Sequence, residues 1–177
     1  LIQTVVYWPE GSVFVSVVDP GVGSNRKSIG VKTAKGQYII TPDNGTLTHI
    51  KRMCGIVEAR EIDETINRLP NSGASYTFHG RDIYAYTGAR LAAGVIDFEQ
   101  VGPEIPVEDI VELPVVESTK NNDMVTGIID VLDVRFGSLW TNIGRELFTS
   151  LGIKYGDRVE VAIKNDTREV YRNIMVY

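Results

Sequence analysis

Residues 12–26 read SVFVSVVDPGVGSNR, and this stretch decides the fold. Its first seven residues, 12–18, are rich in β-branched and aromatic types, the composition of a buried strand. The run stops abruptly at Asp19-Pro20-Gly21, where the chain must turn into a loop. A carboxylate at a strand end, a glycine loop and then Arg26 form a common layout for a ligand site. In open α/β sheets, ligands gather beyond the carboxyl ends of the strands. The glycines permit close backbone approach to such a ligand. A phosphate loop is disfavoured, because Gly21-x-Gly23 lacks a third glycine and no Gly-Lys-Ser/Thr follows. The plainer alternative is a tight turn held by a structural Asp–Arg pair, and spacing alone favours it.

Working outward, residues 28–33 and 37–41 read as two strands joined by the short Ala34-Lys35-Gly36 hairpin. Pro42-Asp43-Asn44-Gly45 is a strong turn signal. A short helix is predicted over 46–53, with Thr46 near its N-cap, and a further strand over 56–59. Residues 67–74 form a loop by their Pro, Asn, Ser and Gly content. Asp82 is expected to cap a helix running to about Ala93, which Gly94 ends. Then Pro103, Pro106 and Pro114 appear among acidic residues, followed by a polar stretch, and residues near 103–120 read as a linker. Beyond it, residues 124–132, 139–143, 158–164 and 170–177 read as strands, with one helix over about 144–151. The fold class is therefore an α/β N-terminal domain, residues 1–113, followed by a mostly β C-terminal domain, residues 120–177.

Composition narrows the function. Of 177 residues, 43% are apolar and 23% charged, which excludes a disordered chain, collagen and a disulfide scaffold. No apolar run approaches the ~18–20 residues that span a bilayer. The net charge of −5 leaves no surplus of Lys and Arg to neutralise phosphates, so nucleic acid is not an expected partner, and without a spanning apolar run neither is a membrane. The single Cys54 excludes an internal disulfide and a Cys-based zinc site, and it fits a reducing, cytoplasmic compartment. No signal peptide is visible. The chain opens at Leu1 inside an element and stops in a β-like run, so both ends are read as cut.

Two more segments carry chemistry. Ser75-Tyr76-Thr77-Phe78-His79-Gly80-Arg81-Asp82 places one of only two histidines just before a helix. An imidazole there can be a catalytic group or a packed one. His49, on the predicted helix after the Asn-Gly turn, reads as a surface or packing residue. The two histidines lie too far apart to suggest a metal site. Asp133-Val134-Arg135-Phe136-Gly137-Ser138-Leu139-Trp140-Thr141-Asn142-Ile143 combines a carboxylate, two aromatics and small polar groups. It suits a stacking pocket for a purine. The alternative, favoured by spacing alone, is a turn with Phe136 and Trp140 in the core.

Together the VDPGVGSNR, PDNGTLT, TFHGRD and DVRFGSLWTNI stretches, in this order, resemble the S-adenosylmethionine (SAM) hydroxide adenosyltransferases. These SAM hydrolases are related to fluorinase and chlorinase, and the resemblance covers essentially the whole chain. It implies an α/β domain followed by a β-barrel-like domain, assembled as a homotrimer with the ligand between subunits. It also implies conversion of SAM and water into adenosine and L-methionine. Asp19, Arg26 and His79 match the family's water-activating triad. Asp133 would hold the methionine amino group, Phe136 and Trp140 would line the adenine pocket, and Phe78 would pack near the ribose. The family usually has Asn where Ser138 stands, so the adenine contact there is reduced to a single hydroxyl.

The halide-using relatives replace the Asp of the first motif by Tyr and do not keep the His of the third. Fluorinase also carries a long insertion for which the Ala34-Lys35-Gly36 turn leaves no room. Water is thus favoured over halide, with a non-catalytic SAM- or adenosine-binding protein as the reading from another class. A sulfonium is already a good leaving group, so no general acid is needed at sulfur, and because the reaction needs neither redox chemistry nor a Lewis acid, no metal or organic cofactor is implied. The hard part is the nucleophile, since water has a pKa of ~15.7. His79 has a reference pKa of ~6.5 and can accept a proton, Arg26 can hold a hydroxide-like oxygen, and Asp19 can orient either. The residues leave open which of them takes the proton. The resemblance further implies an opening strand with a TDFG-type segment before Leu1 and a stretch completing the barrel after Tyr177. The 177 residues alone are accordingly expected to be a poor enzyme.

Overall fold

The computed structural model describes residues 1–177 throughout. Five strands form its main sheet: β1 (Val13–Val15), β2 (Ser28–Thr33), β3 (Tyr38–Pro42), β4 (Ile56–Glu61) and β5 (Glu104–Ile105), in the order β1-β3-β2-β4-β5. β1 runs parallel to β3, and every other neighbouring pair is antiparallel. The hydrophobic period of two sends alternate residues to opposite faces. Ile29, Val31 and Ile39 pack on one side with Val5, Leu47, Ile50 and Ala59. Ile40 packs on the other with Ile83, Tyr84, Phe98 and Val101. With both faces covered, β2 and β3 are buried nearly end to end, as sandwiched strands are.

Short helices α1 (Ile2–Val5) and α2 (Thr48–Met53) supply cover on the first face. On the second lies a longer helix whose opening turn, Gly80–Ala85, is π-helical and whose remainder is α3 (Tyr86–Ala92). At Gly88 a Cβ would stand 2.5 Å from a Val15 methyl, so only glycine lets α3 approach β1 this closely.

Some elements depart from expectation. Of residues 12–18, only Val13–Val15 pair as strand, and one more bond follows from Ser16 N–H to the Ile40 carbonyl at 3.0 Å. The chain then leaves the sheet toward Asp19. The helix opens at Gly80, so Asp82 lies inside its first turn, where its carboxylate binds Arg81 instead of capping the helix. Gly94, at φ +64°, ends α3 as expected, and its N–H bonds the Leu91 carbonyl. Within the proline-rich stretch, Ile105 and Ile110 are buried and β5 pairs with β4, so residues 104–110 belong to the sheet's unit.

The chain forms two compact units, Leu1–Leu113 and Pro114–Tyr177. The second is mostly β. It holds three antiparallel pairs: β6 (Thr119–Asn121) with β7 (Met124–Thr126), β8 (Ile129–Asp133) with β9 (Ser138–Thr141), and β10 (Arg158–Lys164) with β11 (Glu169–Val176). One helix, α4 (Arg145–Thr149), joins them. The strands pair only in twos and do not close into a barrel. A barrel needs an interior filled by alternate side chains, and no residue of 114–177 is buried. No helix of the chain is long and apolar enough to cross a membrane.

Candidate active site

One edge of the main sheet gathers the first motif. β1 and β3 end there, and β2 begins there, with Ser28 opposite Pro42. Asp19 follows β1 by four residues and Arg26 precedes β2 by two, so the glycine loop spans two strand ends. The loop reverses at Gly23, φ +79°, a conformation that L side chains rarely adopt. It is tightened by Ser24, whose N–H and hydroxyl both donate to the Gly21 carbonyl at 3.0 and 2.6 Å. Asn44, from the turn after β3, ties the edge together by donating to the Val18 carbonyl at 3.0 Å.

Asp19, Arg26 and His79 meet at this edge. The Arg26 guanidinium grips Asp19 with both prongs: Nε lies 2.9 Å from Oδ1, and Nη2 bonds Oδ2. Nη2 also lies 2.9 Å from His79 Nδ1. Nη1 donates to Ser28 Oγ at 2.9 Å and to the Lys27 carbonyl at 3.3 Å. The Asp19 and Arg26 side chains are 7% and 10% exposed, and His79 is 7% exposed. Such a two-pronged, nearly dry pair fixes both orientation and charge. The alternative of a structural Asp–Arg turn therefore describes only part of what is present, since the imidazole joins the pair.

Two polar residues that the sequence did not single out complete the cluster. Ser28 Oγ and Tyr84 Oη are 3.1 Å apart, and Tyr84 Oη reaches Asp19 Oδ2 at 3.5 Å. The Tyr84 ring lies under the Arg26 guanidinium, 5.5 Å from its central carbon. Tyr84 stands five residues after His79, the repeat of the π-turn that begins between them. That extra residue per turn sets both side chains toward the Asp–Arg pair. Ser28 is buried at the start of β2, and nothing in the local Ser-Ile-Gly-Val-Lys-Thr sequence marks it out.

Electrostatics follow from this burial. Desolvation pushes the His79 imidazole below its ordinary value of 6.5. Glu64 and Asp19 oppose the shift, while Arg26 and Arg68 add to it. Burial likewise pushes the Tyr84 phenol up to about 12, partly offset by its bond with Ser28. Tyr84 is therefore a neutral hydroxyl at physiological pH.

The remaining residues are placed as follows. Phe78 is half-exposed beside His79, with the Arg81 guanidinium 4.9 Å from its ring centre. An open, mostly apolar depression of about 220 Å³, lined by Val18, Pro20, Asn44, Gly45, Thr46 and Leu113, adjoins the glycine loop. His49 lies half-buried on α2. In the second unit, Asp133, Phe136, Ser138 and Trp140 share the β8–β9 hairpin, where Asp133 and Ser138 are direct cross-strand partners. Phe136 occupies the turn and is 83% exposed, and Trp140 is half-exposed on β9. Neither aromatic is in a core, which sets aside the packing alternative for that motif.

The fold and this edge define an α/β domain carrying an Asp–Arg–His constellation at its strand ends. Residues 1–102 match the family model described as the SAM hydroxide adenosyltransferase N-terminal domain, and the chain belongs to that family. It is 34% identical to the (R)-S-adenosyl-L-methionine hydrolase of Methanocaldococcus jannaschii, across 93% of this chain and 54% of that protein. It is 28% identical to a fluorinase of Actinopolyspora mzabensis, across 89% of this chain and 59% of the fluorinase. The crystal structure of an uncharacterized conserved protein from Thermotoga maritima is similar with a TM-score of 0.81 and 36% identity, covering 94% of this chain and 60% of that one. The chain thus spans little more than half the length of the relatives it matches.

Proposed function

We propose that the protein hydrolyses SAM to adenosine and L-methionine. An oxygen nucleophile held at the Asp19–Arg26–His79 cluster attacks the ribose C5′ in line with the departing sulfur. The observation that carries this reading is the burial of the three side chains in one hydrogen-bonded cluster at the sheet edge. The hydrolase name of the Methanocaldococcus jannaschii relative supports the same chemistry. Positioning a nucleophile against carbon in a dry site supplies a large part of the barrier reduction. The sulfonium leaves as a neutral thioether, so the step calls for no redox cofactor and no Lewis acid.

Phe78 would pack against the ribose. Asp133 would bind the methionine amino group, and Phe136, Ser138 and Trp140 would cover the adenine. The half-exposed and exposed aromatics of the β8–β9 hairpin suit stacking on a purine. We take the three hairpins of the second unit as parts of a barrel-like domain, and the working form as a cytoplasmic homotrimer whose sites lie between subunits. The fluorinase relative motivates a second reading, halide in place of water. Asp19 and His79 favour water, since on the family resemblance the halide-using members replace the first by Tyr and do not keep the second. Incubating the protein in full with SAM, with and without chloride, separates the readings. Adenosine and methionine in both cases are expected. A 5′-chloro product, or SAM bound without turnover, would contradict the proposal.

A further inference from the structure

We infer that Arg26 locks His79 in the neutral tautomer that carries its proton on Nε2. On the hydrolase reading, His79 then serves the reaction as a hydrogen-bond donor and not as the base. A guanidinium has five N–H donors and no acceptor. In Arg26 all five are engaged: Nε by Asp19 Oδ1, Nη2 by Asp19 Oδ2 and His79 Nδ1, and Nη1 by Ser28 Oγ and the Lys27 carbonyl. Facing a group that can only donate, His79 Nδ1 must accept, so it carries no hydrogen. A neutral imidazole has one N–H, which leaves it on Nε2. An imidazolium would set an N–H on Nδ1 against an Arg26 N–H 2.9 Å away.

The surroundings reinforce the neutral form. Arg26 and Asp19 face the ring from the glycine loop, and Glu64 and Arg68 from the segment after β4. Asp82, on the ring's own helix, is held by Arg81. Burial outweighs the favourable carboxylates and holds the imidazole neutral at physiological pH. Nε2 itself is buried and has no protein partner. A buried N–H is costly to leave unpaired, and an acceptor oxygen on the nucleophile would satisfy it.

Two roles follow. Arg26 has no donor to spare for the nucleophile, so it is a positioning residue: it orients His79 and is itself fixed by Asp19, Ser28 and, through Ser28, Tyr84. His79 Nε2–H donates to the oxygen and stabilises it as hydroxide. The proton lost in forming hydroxide passes to solvent before the displacement. In the displacement, an oxygen lone pair forms the C5′–O bond while the C5′–S pair returns to sulfur, and no proton is placed on His79.

The tautomer can be read without turnover, so its failure is distinguishable from failure of the hydrolase reading. The probe is a long-range proton–nitrogen NMR spectrum of the ¹⁵N-labelled chain at neutral pH, with the His49→Gln variant assigning the two imidazoles. For His79 we expect a single population with a pyrrole-type Nε2 and a pyridine-type Nδ1. Arg26→Gln should release the lock and move both nitrogens toward averaged values, a change that a merely packed histidine would not show. A pyridine-type Nε2, averaged shifts in the unaltered protein, or an imidazolium at neutral pH would overturn the inference. If Arg26→Gln does not fold, the unaltered protein's spectrum decides alone.

Discussion

The two units are built on opposite terms. In Leu1–Leu113, Ile29, Val31, Ile39, Ile40 and Ile83 are fully buried, and helices cover both faces of the sheet. In Pro114–Tyr177 no residue is buried, and Leu132, Phe136, Ile174 and Val176 are at least half-exposed. Each buried aliphatic side chain contributes about 1.5–3 kcal/mol. The first unit therefore carries a core that can hold a desolvated charge cluster in place. The hairpins of the second present aromatic and acidic groups on a frame with little apolar burial of its own. The difference separates a buried, hydrogen-bonded polar cluster held by a core from hairpins whose side chains are largely exposed.

The largest expected effect breaks the first of these. Asp19→Ala leaves the Arg26 charge buried without its partner and should cost about 3–5 kcal/mol in chemical denaturation. Asp133→Ala, on the β8–β9 hairpin, should stay within ~0.5 kcal/mol by the same measurement. Equal losses at the two sites would erase the contrast. A smaller test uses one methyl group. Ile39→Val, in the core, should cost about 0.5–1.5 kcal/mol, whereas Ile174→Val, on exposed β11, should change stability by less than ~0.5 kcal/mol.

The smallest effect is a pH slope confined to the first unit. The folded chain holds His79 below its ordinary 6.5, so in that window the unfolded chain binds more protons. Stability from this group is complete above pH 6.5 and is lost as pH falls through 6.5 toward the lowered folded value. His79→Gln should flatten that part of the stability profile. An unchanged slope would mean that the imidazole titrates alike in both states.

How much of this was legible in the sequence follows from which physical signals are local. The strand-to-glycine-loop junction is local, so Asp19 and Arg26 stood out, and the order of the four motifs brought in His79. Ser28 and Tyr84 were not legible. Tyr84 is placed by a π-turn that adds a residue to the helical repeat, so its five-residue spacing from His79 does not match a period of 3.6, and Ser28 joins only through contacts that its strand sequence does not show. Asp82 was misread as a cap for the same reason, since the helix opens two residues earlier than its carboxylate suggests. The β5 edge was hidden because its two paired residues sit between prolines, which read as linker. In the second unit, β9, β10 and β11 were legible from alternation, whereas β6 lies in the polar stretch read as linker and the single strand expected over 124–132 is two, β7 and β8. Closure was not legible, because alternation fixes which way side chains point and not which strands pair.

The most direct test of the account follows the oxygen. The protein in full is given SAM in water labelled with heavy oxygen, with chloride present, and the products are read by mass spectrometry. The account predicts adenosine with one heavy oxygen at its 5′ position, unlabelled methionine, and a rate that falls about 10²–10³-fold in His79→Ala. Adenosine without the label, a 5′-halogenated product, or an unchanged rate in His79→Ala would contradict it.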